Sequence, residues 1–170
     1  MSLIEVIENS AYSAWVRESP SIFAFTTILA LHAIGLAIIV GINFVIALRL
    51  LGYVPEIPVV KLKKLYPWAY FGFTINAFSG LSLMASMLEK ELNNWMFLVK
   101  LGFIALAMVN MELMRARIFD DPVLVNGGVV PQSARAFAWT SLFLWGMAII
   151  TGRLTSYPYM IEAWVGKLGG

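Results

Sequence analysis

Four apolar runs alternate along the chain with shorter stretches that carry most of the charge. The first, residues 21 to about 50, holds no charged side chain before Arg49. At about 1.5 Å per residue it exceeds the ~20 residues needed to cross a bilayer, so it predicts a membrane-spanning helix. Three further runs, at about 67–88, 95–114 and 136–154, have the same character. The second and third are separated only by a short charged turn containing EKEL, which makes them antiparallel neighbours.

The intervals have their own patterns. In residues 3–18, Ile4, Ile7, Ala11, Ala14 and Trp15 recur at helical spacing while Glu5, Glu8 and Arg17 lie elsewhere. This predicts a short amphipathic helix in the membrane interface, ended by Ser19 and Pro20. GYVPEIPVVKLKKLY reads as a polar loop, because Pro55 and Pro58 forbid a continuous helix. RARIFDDPVLVNGGVVPQSAR, rich in Pro, Gly and Asp, reads as a second loop on the same side, and TSYPYMIEAWVGKLGG as an amphipathic tail. The expected fold is all-α: an integral membrane four-helix bundle with a short interfacial N-terminal helix, residues 1–170 forming one transmembrane domain.

Composition agrees with the pattern. Of 170 residues, 60% are hydrophobic and 13% charged, and the mean hydropathy is +0.80, more apolar surface than a soluble domain of this size can bury. A net charge of +2, scattered along the chain, gives no basis for nucleic-acid binding. The absence of cysteine excludes disulfides, thiolate metal sites and iron–sulfur clusters. Glu5 and Glu8 stand where a signal peptide carries positive charge, so no cleaved leader is expected.

Lys and Arg are distributed seven to four, with Lys100 set aside: Arg49, Lys61, Lys63, Lys64, Arg115, Arg117 and Arg135 against Arg17, Lys90, Arg153 and Lys167. The positive-inside rule then turns both termini away from the cytoplasm, to the periplasm if the cell is Gram-negative, and the expected location is the bacterial inner membrane, crossed several times with both termini periplasmic. The bilayer is the first expected partner. Because the chain leaves little room for a separate substrate domain, further copies or other membrane subunits are the next.

Ionisable residues inside spans are costly and are read first as functional. The only histidine, His32, lies slightly to the outer side of the middle of the first span, and Lys100 lies at similar depth in the third. Arg153 sits nearer the outer surface at the end of the fourth. Neutral imidazole is a proximal ligand of haem iron, and an apolar bundle suits a flat macrocycle. In that reading Lys100 is a second axial ligand or pairs with a propionate, Arg153 offers a propionate its guanidinium fork, and Gly35 and Gly80 clear side chains from the macrocycle. A methionine, such as Met84, Met87, Met96 or Met108, is another possible axial ligand.

Plainer roles stand beside these. His32 finds hydrogen-bond partners in Asn76, Ser79 or Ser82; Lys100 snorkels outward along its stem; Arg153 anchors a helix end; the glycines permit close packing. Glu112 is explained by an ion pair with Arg115 one turn away. A single histidine excludes di-haem ligation and multi-imidazole zinc or copper sites. Neither a phosphate-cradling glycine loop nor a serine nucleophile with its base is present, and no inverted repeat of the transporter kind is visible.

LHAIGLAIIVGINFVIALRLLG resembles the first helix of the small four-helix membrane proteins of the HemJ-type protoporphyrinogen oxidase and CopD-like group, with a His, small residues, Gly and a helix-end Arg. NNWMFLVKLGFIAL is similar to the third-helix pattern of that group, a Trp followed by Lys-Leu, and WGMAIITGRLTSY resembles the last span of an uncharacterised bacterial membrane family of similar length. The resemblance implies b-type haem at His32 and Lys100. The further His and Arg residues of the HemJ-type enzymes are absent, so their oxidase activity does not carry over.

The expectation is a haem-b membrane protein for electron transfer or oxidoreduction, possible as an enzyme in its own right or as a subunit. The alternative is a cofactor-free transmembrane accessory subunit that stabilises a larger complex. A porphyrin- or quinone-linked enzyme using the same pocket is a third.

Overall fold

The computed structural model describes residues 3–125 and 129–157, and among them the fold is all-α. The expected N-terminal helix is two, α1 (Leu3–Glu8) and α2 (Ala11–Glu18). Ser10 separates them because its side chain caps α2, accepting from the Ser13 N–H at 3.2 Å. Helix α2 straps the C-terminal end of α4 (Tyr66–Ala85), and α1 packs on the helical turn that follows it, where Glu8 accepts from the Glu89 N–H at 3.1 Å. There the Tyr12 hydroxyl donates to Ser82 Oγ at 2.9 Å and Arg17 donates to the Ser86 carbonyl at 3.0 Å.

Three segments are long and apolar enough to cross a membrane: α3 (Phe25–Leu50), α6 (Trp95–Met114) with its continuation to Phe119, and α8 (Ser133–Leu154). Only 28–39% of the most apolar window of each is buried inside the molecule, which leaves lipid to cover the rest. Helix α4 equals α6 in length, 20 residues, but its polar positions, among them Thr74, Asn76, Ser79 and Ser82, keep it out of that class. It nevertheless runs antiparallel along α3, from Tyr66 beside Leu50 to Asn76 beside His32.

Two glycines allow this closeness. A Cβ on Gly35 would stand 2.6 Å from the Asn76 backbone nitrogen, and one on Gly72 would stand 2.7 Å from the Ile38 side chain. Helix α8 packs on the other side of α3, and α6 packs on α8, so the helices lie in the order α4, α3, α8, α6. Ile39, Val40, Ala107, Leu144, Trp145 and Ala148 form the middle core.

The end of the bundle that carries most of the basic residues is more ordered than the two expected loops. Val59–Leu65 forms a 3₁₀ segment whose Val59 and Leu62, three apart and so on one side, enter the core. Helix α6 continues as a π-helical turn, Arg115–Phe119, that turns Ile118 and Phe119 fully inward. Phe119 meets the Tyr66 ring edge-on, with centroids 5.5 Å apart. The short helix α7 (Pro122–Val125) follows. The charged turn after α4 also winds into a helix, α5 (Leu88–Leu92). Most of the expected C-terminal tail, residues 158–170, lies outside the described residues.

Candidate functional site

Helix α3 presents His32 to α4 in the half of the bundle away from the basic end. Its Nδ1 lies 2.9 Å from the Asn76 backbone carbonyl and 3.2 Å from Ser79 Oγ. A carbonyl only accepts, so Nδ1 carries the proton and donates to it. The Ser79 hydroxyl gives its own proton to the Ile75 carbonyl at 2.6 Å, which leaves its oxygen to face the same Nδ1–H. Asn76 answers from its side chain, where Nδ2 donates to the His32 carbonyl at 2.8 Å. The result is a reciprocal clamp between two helices.

Nε2 makes no hydrogen bond among the described residues, and in the neutral ring it keeps its lone pair. Two of the three hydrogen-bond partners expected from the sequence, Asn76 and Ser79, are therefore at the ring, whereas Ser82 is engaged by Tyr12. The glycines serve this clamp. A Cβ on Gly80 would come within 3.0 Å of His32 Cε1, and the space beside Gly35 is filled by the backbone of α4.

Lys100 approaches from α6. Its stem lies against Gly152 of α8, where an added Cβ would sit 3.4 Å from Cε. The ammonium is drawn outward by one turn, 5.8 Å from the centroid of the Phe97 ring. It has no ion-pair partner among the described residues, and it lies within electrostatic reach of His32 and of Glu91 on α5. The structure thus brings Lys100 close enough to His32 for the two to interact electrostatically, and neither belongs to the two apolar core clusters of the described residues. Arg153 is exposed in the last turn of α8, its guanidinium over the Tyr157 ring at 5.6 Å and 3.4 Å from the hydroxyl.

Polar residues that the sequence reading passed over form a deeper layer. Asn43 is fully buried, with Nδ2 donating to the Ile39 carbonyl at 2.9 Å and 3.4 Å from Met111 Sδ. Asn110 donates to the Phe137 carbonyl at 3.2 Å. Asn43 Oδ1, Ser141 Oγ and Trp145 Nε1 are buried and have no hydrogen-bond partner among the described residues. An asparagine inside an uncharged run is visible in the sequence, and it was outweighed there by the titratable residues.

Chemically, the site combines an oriented imidazole with a lysine side chain, and among the described residues neither His32 Nε2 nor Lys100 Nζ has a hydrogen-bond or ion-pair partner. His32 can ligate a metal through Nε2; Lys100, as placed, offers charge. No family model, curated protein or solved structure matches the chain.

Proposed function

We propose that the chain is a haem-b-binding protein of the bacterial inner membrane, serving electron transfer or oxidoreduction, with His32 Nε2 as the iron ligand. The observation that carries this reading is the Nδ1–H bond to the Asn76 carbonyl. A ligating histidine commonly spends its other ring N–H on a carbonyl, which sets the tautomer, orients the ring and raises the basicity of the free nitrogen. The resemblance of the first and third helices to the HemJ-type and CopD-like group supports the same assignment.

In this reading haem, when bound, supplies the one-electron chemistry. The chain's own residues orient the imidazole, exclude water with the surrounding helices, and balance anionic charge. Lys100 serves as the charged partner rather than a second ligand, since its ammonium is turned outward to Phe97. Arg153, exposed in the last turn of α8, would offer its guanidinium to a haem propionate.

One observation favours the cofactor-free alternative, an accessory subunit of a larger complex. The room left by Gly35 and Gly80 is occupied by the α4 backbone and by the imidazole itself, so both glycines are accounted for by helix packing.

The two readings part on one measurement. Protein purified from haem-replete cells is expected to show a Soret band and a pyridine haemochrome, both lost in His32→Ala and kept in Lys100→Met. A wild-type preparation without a Soret band ends the haem assignment and leaves His32 as a helix clamp.

A further inference from the structure

At the opposite, basic end of the bundle, the α3 C-terminus and the first turns of α8 enclose a hollow of about 300 Å³ lined by Leu51, Gly52, Tyr53, Arg135 and Trp139. Its shape begins with Gly52, whose φ of +106° is a left-handed conformation that lets the chain turn sharply at the end of α3. The following loop is held by Arg49, whose guanidinium donates to the Ile57 carbonyl at 2.6 Å and to the Pro55 carbonyl at 3.0 Å. Arg49 is therefore consumed as a pin.

Arg135 is not. Its side chain is exposed and has no hydrogen bond or ion pair among the described residues. One turn along α8, Trp139 is 64% exposed, and across the hollow Tyr53 is 63% exposed. Two amphipathic rings beside one free guanidinium, at the level where α3 ends and α8 begins, match the headgroup depth of a bilayer. Guanidinium and phosphate also pair through a planar fork.

We infer that this hollow binds the phosphate of an anionic phospholipid of the inner leaflet, with Arg135 taking the charge and Tyr53 and Trp139 flanking the glycerol and upper acyl region. The inference requires that the chain span a bilayer and is independent of haem. Anionic lipids of that leaflet are attracted by clustered basic residues, and Lys61, Lys63, Lys64, Arg115 and Arg117 occupy the same end of the chain's spans.

Native mass spectrometry of the full chain, released from detergent containing equal phosphatidylglycerol and phosphatidylcholine, tests this. Wild type is expected to retain phosphatidylglycerol preferentially. Arg135→Gln should lower that retention about fivefold, the weight of one basic residue near a charged surface. Arg135→Lys should recover part of it, and Lys90→Gln, exposed on α5 at the opposite end of the bundle, should leave it unchanged.

Equal retention of the two lipids by wild type, or equal phosphatidylglycerol retention by wild type and Arg135→Gln, overturns the inference. So does displacement of the lipid by inorganic phosphate at matched concentration, which would make the hollow a phosphate site rather than a lipid site.

Discussion

His32, Gly35 and Gly80 form one local device. The imidazole reaches the Asn76 carbonyl only because α3 and α4 approach closely, and they do so because position 35 has no side chain. Gly35→Ala places a methyl 2.6 Å from a backbone nitrogen and 2.8 Å from the Gly72 carbonyl, neither of which is a flexible group that can move aside. The helices must separate, at a cost of about 1–3 kcal/mol, the range for overpacking a tight contact. Gly102→Ala meets nothing within 4 Å, and it should be neutral or stabilise by up to ~1 kcal/mol through helix propensity. Thermal unfolding of the two variants in detergent checks the contrast. Equal midpoints would show that the α3–α4 contact is looser than drawn. The plain role of histidine, partnered by Asn76 and Ser79, was legible in the sequence. The role of the glycines was not, because a glycine in an apolar run looks the same whether it faces a backbone, a ring or lipid.

Among the elements, the first turns of α4 and the last turn of α6 are joined by a chain of polar contacts. The Tyr70 hydroxyl donates to Glu112, Arg115 pairs with Glu112 at 3.0 Å and with Asp120 at 3.7 Å, and Lys63 of the 3₁₀ segment pairs with Asp120 at 2.7 Å. The Glu112–Arg115 pair was legible from helical spacing. Its extension was not, because it depends on a π-turn and a 3₁₀ segment in stretches whose proline and charge read as loop. The Lys63 ammonium beside Asp120 holds that carboxyl below its ordinary value. A depressed folded pKa contributes stability above the unfolded value, and that stability is lost as pH falls through the folded one. Wild type should therefore lose stability on acidification below about pH 4, the ordinary aspartate value, more steeply than Asp120→Asn. Unfolding midpoints measured over that range decide it, and parallel curves would show that the Lys63 contact does not persist in solution.

At the scale of the whole molecule, the crossing number turns on α4. Three crossings by α3, α6 and α8 would put the termini on opposite sides of the membrane; a fourth by α4 returns them to one side. Helix α4 is less apolar than the others, yet it lies along α3 from the core cluster at Tyr66 to the clamp at His32, and its C-terminal end is strapped by α2. A helix of 20 residues is about 30 Å long, the thickness of the hydrocarbon core. Its polar side chains are turned in part to protein partners, Asn76 and Ser79 to His32. Because the chain has no cysteine, Lys61→Cys and Glu89→Cys provide clean single labels. An impermeant maleimide applied to intact cells should modify Cys at 89 and spare Cys at 61. Labelling of both positions, or of neither, would mean that α4 does not cross.

The sequence by itself determined the helical class, the position of the long apolar segments to within a few residues, and the pairing of polar types available to His32. These follow from local periodicity, from the length a bilayer demands, and from the scarcity of ionisable groups in apolar runs. Only the tertiary structure decided that α3 and α4 touch backbone to backbone, which nitrogen of His32 is left free, that Lys100 rests on α8 and turns outward, and that Ile118 and Phe119 belong to the core. Each of those depends on the rotation and spacing of helices relative to one another. Packing between segments distant in the chain sets these quantities, and no single segment encodes them.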